Sequence, residues 1–530
     1  MYYFGNRKIT SDTFEEVMAE SHDIAVDIET KSLKDPTIVG IGIAPNPDEA
    51  FYFVDGEFHH AYQYIQDPDY HKIYHNCMFD LYELDNPDTN SIGDTAFLAR
   101  LSGYPAELSK LSTILKMKGL THNYTFSMKE VMEVFNAKTT EGMPQERVAE
   151  KCALDCKSTL DAHNALYPTL DLASKEAYHL DCKMVSPLLK ASKRGILLDP
   201  EKVEALVNEY EGKVDHYLNL CQQLGCKNPG SSQQVARALA KQGSLFPKKV
   251  GGDWKYDTSK DNLKYKANLL AQAVVLYRGA NYFLTHYARP LVGKERQYSR
   301  FHLDASTSRM SSYDMNLMNI PKGSARECFL PDSGVMTCAD ASQMQLRILA
   351  YLSEDPVMIS VFDNNGDIHQ ETADHFGMER SATIKSVNFG MIFGGTDETL
   401  METANITDRK VAAELRRKWG QKYKRAWEWI QYQQDVGLRD GYVYTAFGRK
   451  LYIPMDKGRG HARRCSVNFP IQGTEAEVVK RWILACSHLD LMLVVHDEML
   501  FDGQVELPDG LDKLCPWVQP INITIKERWS

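Results

Sequence analysis

The stretch LMLVVHDEML, residues 491–500, places two adjacent carboxylates, Asp497 and Glu498, in an almost entirely apolar run. Burying a carboxylate without a partner costs several kcal/mol, so a chain keeps such groups at its surface or gives them a partner. One interpretation is a tight turn between two buried strands, with both acids exposed at its tip. The other is a buried pair of acids whose partner is a bound cation. The choice depends on what else the chain brings to this turn.

A second acid ends another predicted strand. In SGVMTCADASQMQLRILAYLSEDP, residues 333–356, an apolar strand ends at Asp340, and a helix from about Ser342 ends before Pro356. If this strand and residues 491–500 are neighbours in one sheet, Asp340 and Asp497 meet. Shared cations would then offset the cost of burying Asp497.

Between these two segments lies ERSATIKSVNFGMIFGG, residues 379–395. Lys385, Phe389 and Phe393 recur there at intervals of four and therefore line one face of a predicted helix. A cation followed by two flat rings suits a ligand with phosphates at one end and a base at the other. The alternative is that both phenylalanines belong to the core.

The N-terminal region reads as an acidic sheet. HDIAVDIETKSL alternates strictly, so Asp27 and Glu29 share one face of a strand and the large apolar residues the other. More strand-like runs follow, and then helical segments that bring Asp80 and Asp155. The pattern predicts a sheet that carries a cluster of carboxylates.

Charge is distributed unevenly along the 530 residues, a length that predicts two or more domains. Residues 1–100 hold 19 acidic against 6 basic residues, whereas residues 409–464 hold 15 basic against 5 acidic ones. The basic segment is interleaved with Trp419, Tyr423, Trp427 and Trp429. A solvated helical face explains part of this charge, but the contrast suits a protein that grips phosphates in one place and cations in another.

Other classes of protein are disfavoured by composition. No run of 18 apolar residues exists and the first residues lack the order of a signal peptide, so we expect neither membrane insertion nor secretion. The 11 cysteines are scattered without paired spacing, which favours free thiols over a zinc site.

Three motifs, DIE, NCMFD and KCALD, resemble those of the proofreading 3′–5′ exonuclease domain of DNA polymerases. The resemblance implies a ribonuclease-H-like fold over residues 1–172. It also implies two Mg²⁺ or Mn²⁺ ions, which suit hard oxygen ligands, on Asp27, Glu29, Asp80 and Asp155. Lys151 stands where these domains usually have a tyrosine that orients the attacking water. It can contact the water or the scissile phosphate, or only point into solvent in a domain that serves as a scaffold.

The remaining segments resemble family A DNA polymerases, in the expected order and over nearly the whole chain. DASQMQLR resembles motif A, KSVNFGMIFG motif B and VHDE motif C. The resemblance implies an α/β multidomain chain in which a right-hand polymerase domain, residues 173–530, follows the exonuclease. We expect a thumb at about 195–295, a palm at about 300–360 and 465–530, and fingers at about 361–464. The 5′-nuclease domain of many bacterial members does not precede these segments, which favours a bacteriophage-type member.

The resemblance also implies roles for single residues. Asp340 and Asp497 would bind two Mg²⁺ or Mn²⁺ ions that activate the primer 3′-hydroxyl and hold the triphosphate, with Glu498 as an auxiliary acid. Lys385 would neutralise the triphosphate and can protonate the leaving pyrophosphate. The other residues of the nucleotide pocket would be Gln345, His369, Arg380, Phe389 and Phe393. Primer and template would contact Arg309, Arg464, Asn468, Gln472 and His496 in the minor groove.

Four features depart from the family pattern. Gln345 stands where motif A usually has the glutamate that walls off the sugar 2′ position. Arg380 lies five residues before Lys385 instead of four, which turns it about 140° from that face of a regular helix. A remodelled start of this helix would let Arg380 reach the phosphates differently. Phe393 replaces a usual tyrosine, and the short tail after Glu498 leaves the last element of the fold open.

The expected function is template-directed DNA synthesis from dNTPs on a primer, with 3′–5′ proofreading. One alternative is a single-subunit RNA polymerase-like enzyme, against which the exonuclease segments and VHDE argue. The other is a non-catalytic nucleic-acid-binding replication protein, against which the six metal-site carboxylates argue. Expected partners are primer–template DNA and dNTPs, with helicase, primase and single-strand-binding protein as candidates. We expect a monomer in the cytoplasm, that of the host if the gene belongs to a phage.

Overall fold

The N-terminal part of the chain is a six-stranded mixed sheet. Its strands are β1 (Tyr2–Phe4), β2 (Asp23–Thr30), β3 (Ile38–Asn46), β4 (Glu49–Val54), β5 (His71–Tyr74) and β6 (Ile92–Asp94). The computed structural model, which describes residues 1–5, 11–104, 110–120, 128–250, 253–264, 266–404 and 406–529, orders them β1-β4-β3-β2-β5-β6. β2 pairs antiparallel with β3 and parallel with β5, so the acidic strand is central.

Helices cover both faces of this sheet. They are α1 (Ser11–Ala19), α2 (Phe58–Ile65), α3 (Cys77–Glu83), α4 (Thr95–Leu101), α5 (Leu111–Met117), α6 (Met128–Val134) and α7 (Gln145–Leu166). The predicted alternation of β2 holds, because Ile24, Val26 and Ile28 enter one core and Ala25 enters a second core formed with α7. Asp27 and Glu29 therefore lie on the side of β2 that faces α7.

The next part begins with long helices. These are α8 (Leu172–Arg194), α9 (Pro200–Gln223), α10 (Ser232–Lys241), α11 (Lys260–Leu263) and α12 (Leu269–Phe283). α9 packs on α12 through an apolar stripe: Val203 and Leu206 are buried, and the ring of Tyr210 packs against that of Phe283 with centroids 4.3 Å apart. This stripe is part of the core.

Short strands and one larger sheet follow. The short strands are β7 (Ile196–Leu198), β8 (Lys248–Val250), β9 (Asp253–Lys255), β10 (Arg296–Gln297), β11 (Arg300–His302), β12 (Ser311–Tyr313), β13 (Phe329–Leu330), β15 (Tyr442–Tyr444) and β16 (Lys450–Tyr452). The larger sheet contains β14 (Met336–Ala341), β17 (Leu491–Val495), β18 (Glu498–Asp502) and β19 (Ile521–Lys526). Its order is β17-β18-β14-β19, and all its pairs are antiparallel. The tail thus supplies the edge strand β19.

Helices surround this sheet. They are α13 (Met344–Ser353), α14 (Pro356–Asp363), α15 (Ile368–Phe376), α16 (Ala382–Ile392), α17 (Asp397–Thr403), α18 (Arg409–Lys422), α19 (Lys424–Asp440), α20 (Arg459–Ala485) and α21 (Leu511–Leu514). Two aromatic residues of the basic segment belong to the core: Trp419 and Tyr423 are fully buried and hydrogen-bond to Asn388 and Thr372. The interpretation of these two rings as part of a phosphate-gripping surface is therefore wrong.

A buried ionic network fixes α8 to α20. Asp181 on α8 accepts hydrogen bonds from both terminal guanidinium nitrogens of Arg449, each at 2.8 Å, and from Lys480 Nζ at 2.6 Å. All three side chains are almost completely buried. The two cations hold the pKa of Asp181 well below its ordinary range despite its burial. This network ties the helix that follows the first sheet to the long helix beneath the second.

All eleven cysteines are buried free thiols, in agreement with their scattered positions. Within the described ranges, no helix is both long enough and apolar enough to cross a bilayer.

Candidate active sites

The apolar run of residues 491–500 is a hairpin. β17 ends at Val495 and β18 begins at Glu498, so His496 and Asp497 form a two-residue turn. His496 has a φ of 58°, in the left-handed region that residues other than glycine rarely adopt. The turn of the first interpretation is present, but Asp497 and Glu498 are half-buried instead of fully exposed.

The strand that leaves the turn, β18, pairs with β14, so the two acid-bearing segments are neighbours in one sheet, as the prediction for Asp340 and Asp497 required. Asp340, at the end of β14, lies directly opposite Glu498 in the ladder of β14 and β18. Burial, followed by the charges of Glu475 and Asp340, raises the pKa of Asp497 to about 7. Burial and the charge of Glu498 also raise the pKa of Asp340. The chain itself thus leaves Asp340 and Asp497 short of positive charge.

Glu498 has a cationic partner of its own. Arg326 Nη1 donates to Glu498 Oε2 at 3.1 Å. The Arg326 guanidinium also lies over the ring of Trp529, 4.3 Å from its centroid, and donates from Nε to the carbonyl of Ile320. Glu498 is therefore held beside the two aspartates by a contact that does not involve them.

α20 presents a polar stripe. Arg464, Asn468 and Gln472 recur at intervals of four, and between residues 465 and 480 only Asn468 and Gln472 are partly exposed. This stripe contains three of the five predicted primer–template residues. A fourth, Arg309, reaches α20 through the carboxylate of Glu475.

Glu475 is a residue that the sequence analysis missed. It is 2% exposed on α20, and it binds Arg309 from one side and Gln345 of α13 from the other. Its position three residues after Gln472, in an apolar stretch on an otherwise functional helix face, was the available signal.

α16 carries the predicted lysine and phenylalanines. Lys385 is exposed and lies over the ring of Phe389, with Nζ 5.9 Å from the ring centroid. Phe389 packs partly against the core, as its alternative interpretation holds, yet remains half-buried. Phe393 lies one residue beyond the helix end and is also half-buried.

The start of α16 leaves Arg380 outside the helix. Ser381 caps the helix by accepting from the Ile384 backbone, so Arg380 lies before the first turn. Arg380 Nε donates to Asp367 Oδ2 at 2.5 Å. His369 is buried, accepts a hydrogen bond from Asn388 Nδ2 at 2.9 Å, and has a pKa lowered by burial. His369 thus belongs to the packed interior of this region.

The second site lies on the first sheet, where α7 crosses β2. One ligand atom from each of Asp27, Glu29 and Cys152 lies within 4.8 Å of the other two. The thiol of Cys152 donates to Asp27 Oδ2 at 3.4 Å. Burial and the charge of Asp155 raise the pKa of Asp27 to about 7, and burial raises the pKa of Glu29.

Asp80 and Asp155 approach the same place from α3 and α7. Asp80 is buried and accepts from the Ile28 backbone at 3.2 Å, within β2. Asp155 forms an ion pair with Lys151 through Oδ2, whereas its Oδ1 is buried and has no hydrogen-bond partner among the described residues. Lys151 is 5% exposed, so the interpretation that it points into solvent is wrong.

Both clusters fit divalent ions in their donor chemistry. Each supplies carboxylate oxygens, the ligands preferred by Mg²⁺ and Mn²⁺. In the second cluster the unpartnered Oδ1 of Asp155 is an oxygen that a cation would satisfy. In the first cluster, the raised pKa of Asp497 indicates that too little positive charge lies near this carboxylate.

Comparison with known families gives two matches. A family model described as DNA polymerase family A matches residues 200–515, and one described as 3′-5′ exonuclease matches residues 6–171. A solved structure described as the POL domain of Pol1 from M. smegmatis, in complex with DNA primer-template and dNTP, has a TM-score of 0.74. It covers 98% of both chains at 20% sequence identity, which shows a shared fold.

Several curated proteins are similar over part of their length. DNA polymerase I of Caldicellulosiruptor bescii is 30% identical, over 62% of this chain and 43% of that protein. The thermostable DNA polymerase I of Thermus aquaticus is 31% identical, over 47% of this chain and 34% of that protein. DNA polymerase I of Pseudomonas aeruginosa is 25% identical, over 96% of this chain and 62% of that protein. The chain thus spans about one third to three fifths of the length of these relatives.

Proposed function

Because the chain belongs to DNA polymerase family A, we propose that it adds dNTPs to a primer 3′-hydroxyl under the direction of a template. We further propose that its first sheet removes nucleotides from DNA 3′ ends. The observation that carries the first proposal is the half-buried Asp497, with a pKa of about 7, in the turn beside Asp340. A chain that holds two carboxylates there at such cost is built to receive cations.

Polymerases and exonucleases of these families use divalent metal ions in general, and we propose Mg²⁺ or Mn²⁺, two at each site. Asp340 and Asp497 would hold them in the polymerase, with Glu498 kept nearby by Arg326. Bound ions would supply charge neutralisation at the attacking and leaving oxygens. The corresponding residues of the exonuclease would be Asp27, Glu29, Asp80 and Asp155.

The incoming nucleotide would lie along α16. The exposed ammonium of Lys385 would neutralise phosphates, and Phe389 would shape the nucleotide pocket together with Phe393, which lies just beyond the helix end. Arg380 stands before the helix and would reach phosphates only by exchanging Asp367 for them. Because His369 is buried, it would support the floor of the nucleotide pocket.

Gln345 would face the sugar, and the stripe on α20 would face the DNA. Arg464, Asn468 and Gln472 can read minor-groove acceptors that hardly vary with sequence, together with Arg309 and His496. We propose primer–template DNA as the partner and keep the division of residues 173–530 into thumb, palm and fingers as predicted. Helicase, primase and single-strand-binding protein stay predictions, as do the monomeric state, the cytoplasmic location and the bacteriophage type.

Primer extension on a defined template tests the proposal. Wild type should extend with dNTPs, and without dNTPs it should shorten the primer, faster from a mismatched end. Asp340→Ala or Asp497→Ala should stop extension and leave duplex binding largely intact, because each removes a shared metal ligand. Asp27→Ala combined with Glu29→Ala should stop only the shortening.

Clear outcomes contradict each part. Extension retained within about tenfold of wild type after loss of Asp340 or Asp497 would refute the polymerase assignment. Absence of 3′–5′ degradation with both Mg²⁺ and Mn²⁺ would leave the first sheet as a scaffold. Preference for rNTPs over dNTPs would favour the RNA polymerase-like alternative.

A further inference from the structure

A single buried carboxylate joins two residues that the proposed function assigns to different substrates. Glu475 lies on α20, whereas Gln345 lies on α13 and Arg309 precedes β12. Arg309 donates from Nε to Glu475 Oε2 at 2.9 Å, and Gln345 Nε2 donates to Glu475 Oε1 at 3.1 Å. Both oxygens of Glu475 thus accept hydrogen bonds from within the chain.

The charge of Glu475 decides which way the Gln345 amide points. An ionised carboxylate only accepts hydrogen bonds, so the amide must turn its NH₂ group toward Glu475. The amide oxygen of Gln345 then faces elsewhere, and it is buried without a hydrogen-bond partner in the part of the chain that the structure describes. Buried oxygens of this kind are uncommon and mark places where a ligand can supply the missing donor.

We propose that Glu475 is the positioning residue for sugar recognition: it fixes Gln345 against the sugar of the incoming nucleotide and ties that residue to Arg309 at the primer end. The inference rests on the proposed function and deepens it. Without its anchor, Gln345 becomes a flexible side chain that no longer blocks the 2′ position. Sugar selection here therefore requires a pair of residues, Gln345 and Glu475.

A different result is expected if the ion pair between Arg309 and Glu475 only stabilises the fold. Loss of Glu475 would then lower the incorporation of dNTPs and rNTPs by the same factor, through Arg309 or through the packing of α20. The ratio of the two incorporation efficiencies separates the two roles, because it responds only to what touches the sugar.

The hydrogen bond between Gln345 and Glu475 also predicts that restoring the usual family residue at position 345 weakens sugar selection instead of improving it. Gln345→Glu introduces the residue that motif A usually carries, yet here it places a second carboxylate against Glu475. Like charges at hydrogen-bond distance repel, so the side chain at 345 should be displaced. Adding Glu475→Gln restores one donor and one acceptor between the two positions and still leaves an oxygen for Arg309.

Single-nucleotide extension gives the test. The readout is kcat/KM for an rNTP divided by kcat/KM for the matching dNTP, on one primer–template. Gln345→Glu and, separately, Glu475→Met, which keeps the side-chain volume, should each raise this ratio by about tenfold. The double variant Gln345→Glu with Glu475→Gln should return to within about threefold of wild type.

Glu477→Gln is the matched control, because Glu477 is buried on the same helix but contacts Arg449 and Thr445. It should leave the ratio unchanged. A wild-type ratio in Gln345→Glu, or a double variant no better than Gln345→Glu alone, would overturn the inference. If Glu475→Met does not fold, as judged by thermal unfolding, the charge swap still decides. Failure of wild type to extend with dNTPs would instead contradict the proposed function.

Discussion

Replacing Asp497 with asparagine should stabilise the metal-free protein while it stops polymerisation. The carboxyl of Asp497 has a pKa of about 7 in place of its ordinary 3.8, mainly because of burial and then because of Glu475 and Asp340. Each tenfold difference in proton affinity corresponds to about 1.4 kcal/mol. The difference between 3.8 and about 7 therefore sets an upper limit of about 4 kcal/mol on the gain in stability. The side chain is partly exposed to water, which screens its charge, so we expect about 2 kcal/mol.

The sign of this effect follows from proton binding. A carboxyl with a raised pKa holds its proton more tightly in the folded than in the unfolded protein. Stability therefore falls as the pH rises from about 3.8 to about 7, and the full cost remains above that. Asparagine carries no charge, so the advantage of Asp497→Asn over wild type should grow up to about pH 7 and be larger at about pH 8 than at about pH 5. Urea unfolding in a chelator, followed by tryptophan fluorescence, measures it.

Asp502→Asn is the control, since Asp502 ends β18, the strand that follows the turn, but pairs with Arg194 at 3.2 Å. It should bring no gain in stability at either pH. Equal stability of Asp497→Asn and wild type at about pH 8, or a gain that is independent of pH, would refute the reasoning. Extension by Asp497→Asn at the wild-type rate would show that the strained carboxylate serves no catalytic purpose.

Three further predictions concern other residues. Lys151→Tyr should raise the rate of 3′–5′ degradation by about tenfold and lower the Mg²⁺ concentration needed for this reaction, because Asp155 loses its internal cation. Unchanged rates of degradation would contradict this prediction. Asp181→Ala should lower the free energy of unfolding by about 3–5 kcal/mol, measured with urea, because it removes the carboxylate that two buried cations share. A loss below about 1 kcal/mol would contradict that estimate. Gln345→Ala should admit rNTPs in single-nucleotide extension, and an unchanged rNTP/dNTP ratio would exclude Gln345 as the gate.

Local patterns in the sequence predicted the elements that carry the acids. The strict alternation of β2 and the apolar runs of β14 and β17 each encode a strand and its buried face, because side chains in a strand alternate between faces. The pairing of β14 with β18 was a conditional prediction, and its ladder puts Asp340 opposite Glu498. The position of Ser381 as a helix cap could also be read locally, from its spacing to the start of the helical pattern.

Contacts between distant elements could not be predicted in this way. Glu475 gains its partners only because α20, α13 and the segment before β12 converge, although Gln345 and Glu475 are 130 positions apart in the sequence. Trp419 and Tyr423 looked like surface aromatics in a basic segment, but packing against α15 and α16 decides their burial. Burial is a property of the assembled helices, and local charge gives no measure of it.

The two sites also differ in which acid the chain neutralises by itself. Arg326 pairs with Glu498, which we assign only an auxiliary role, so Asp340 and Asp497 keep their oxygens for cations. Lys151 instead pairs with Asp155, one of the four acids that we assign to the metals of the exonuclease. A cation entering that site must compete with a buried ammonium, whereas one entering the polymerase site relieves a carboxylate whose pKa is already raised. The divalent ions that we propose would therefore meet a competing ammonium at the exonuclease site and carboxylates short of positive charge at the polymerase site.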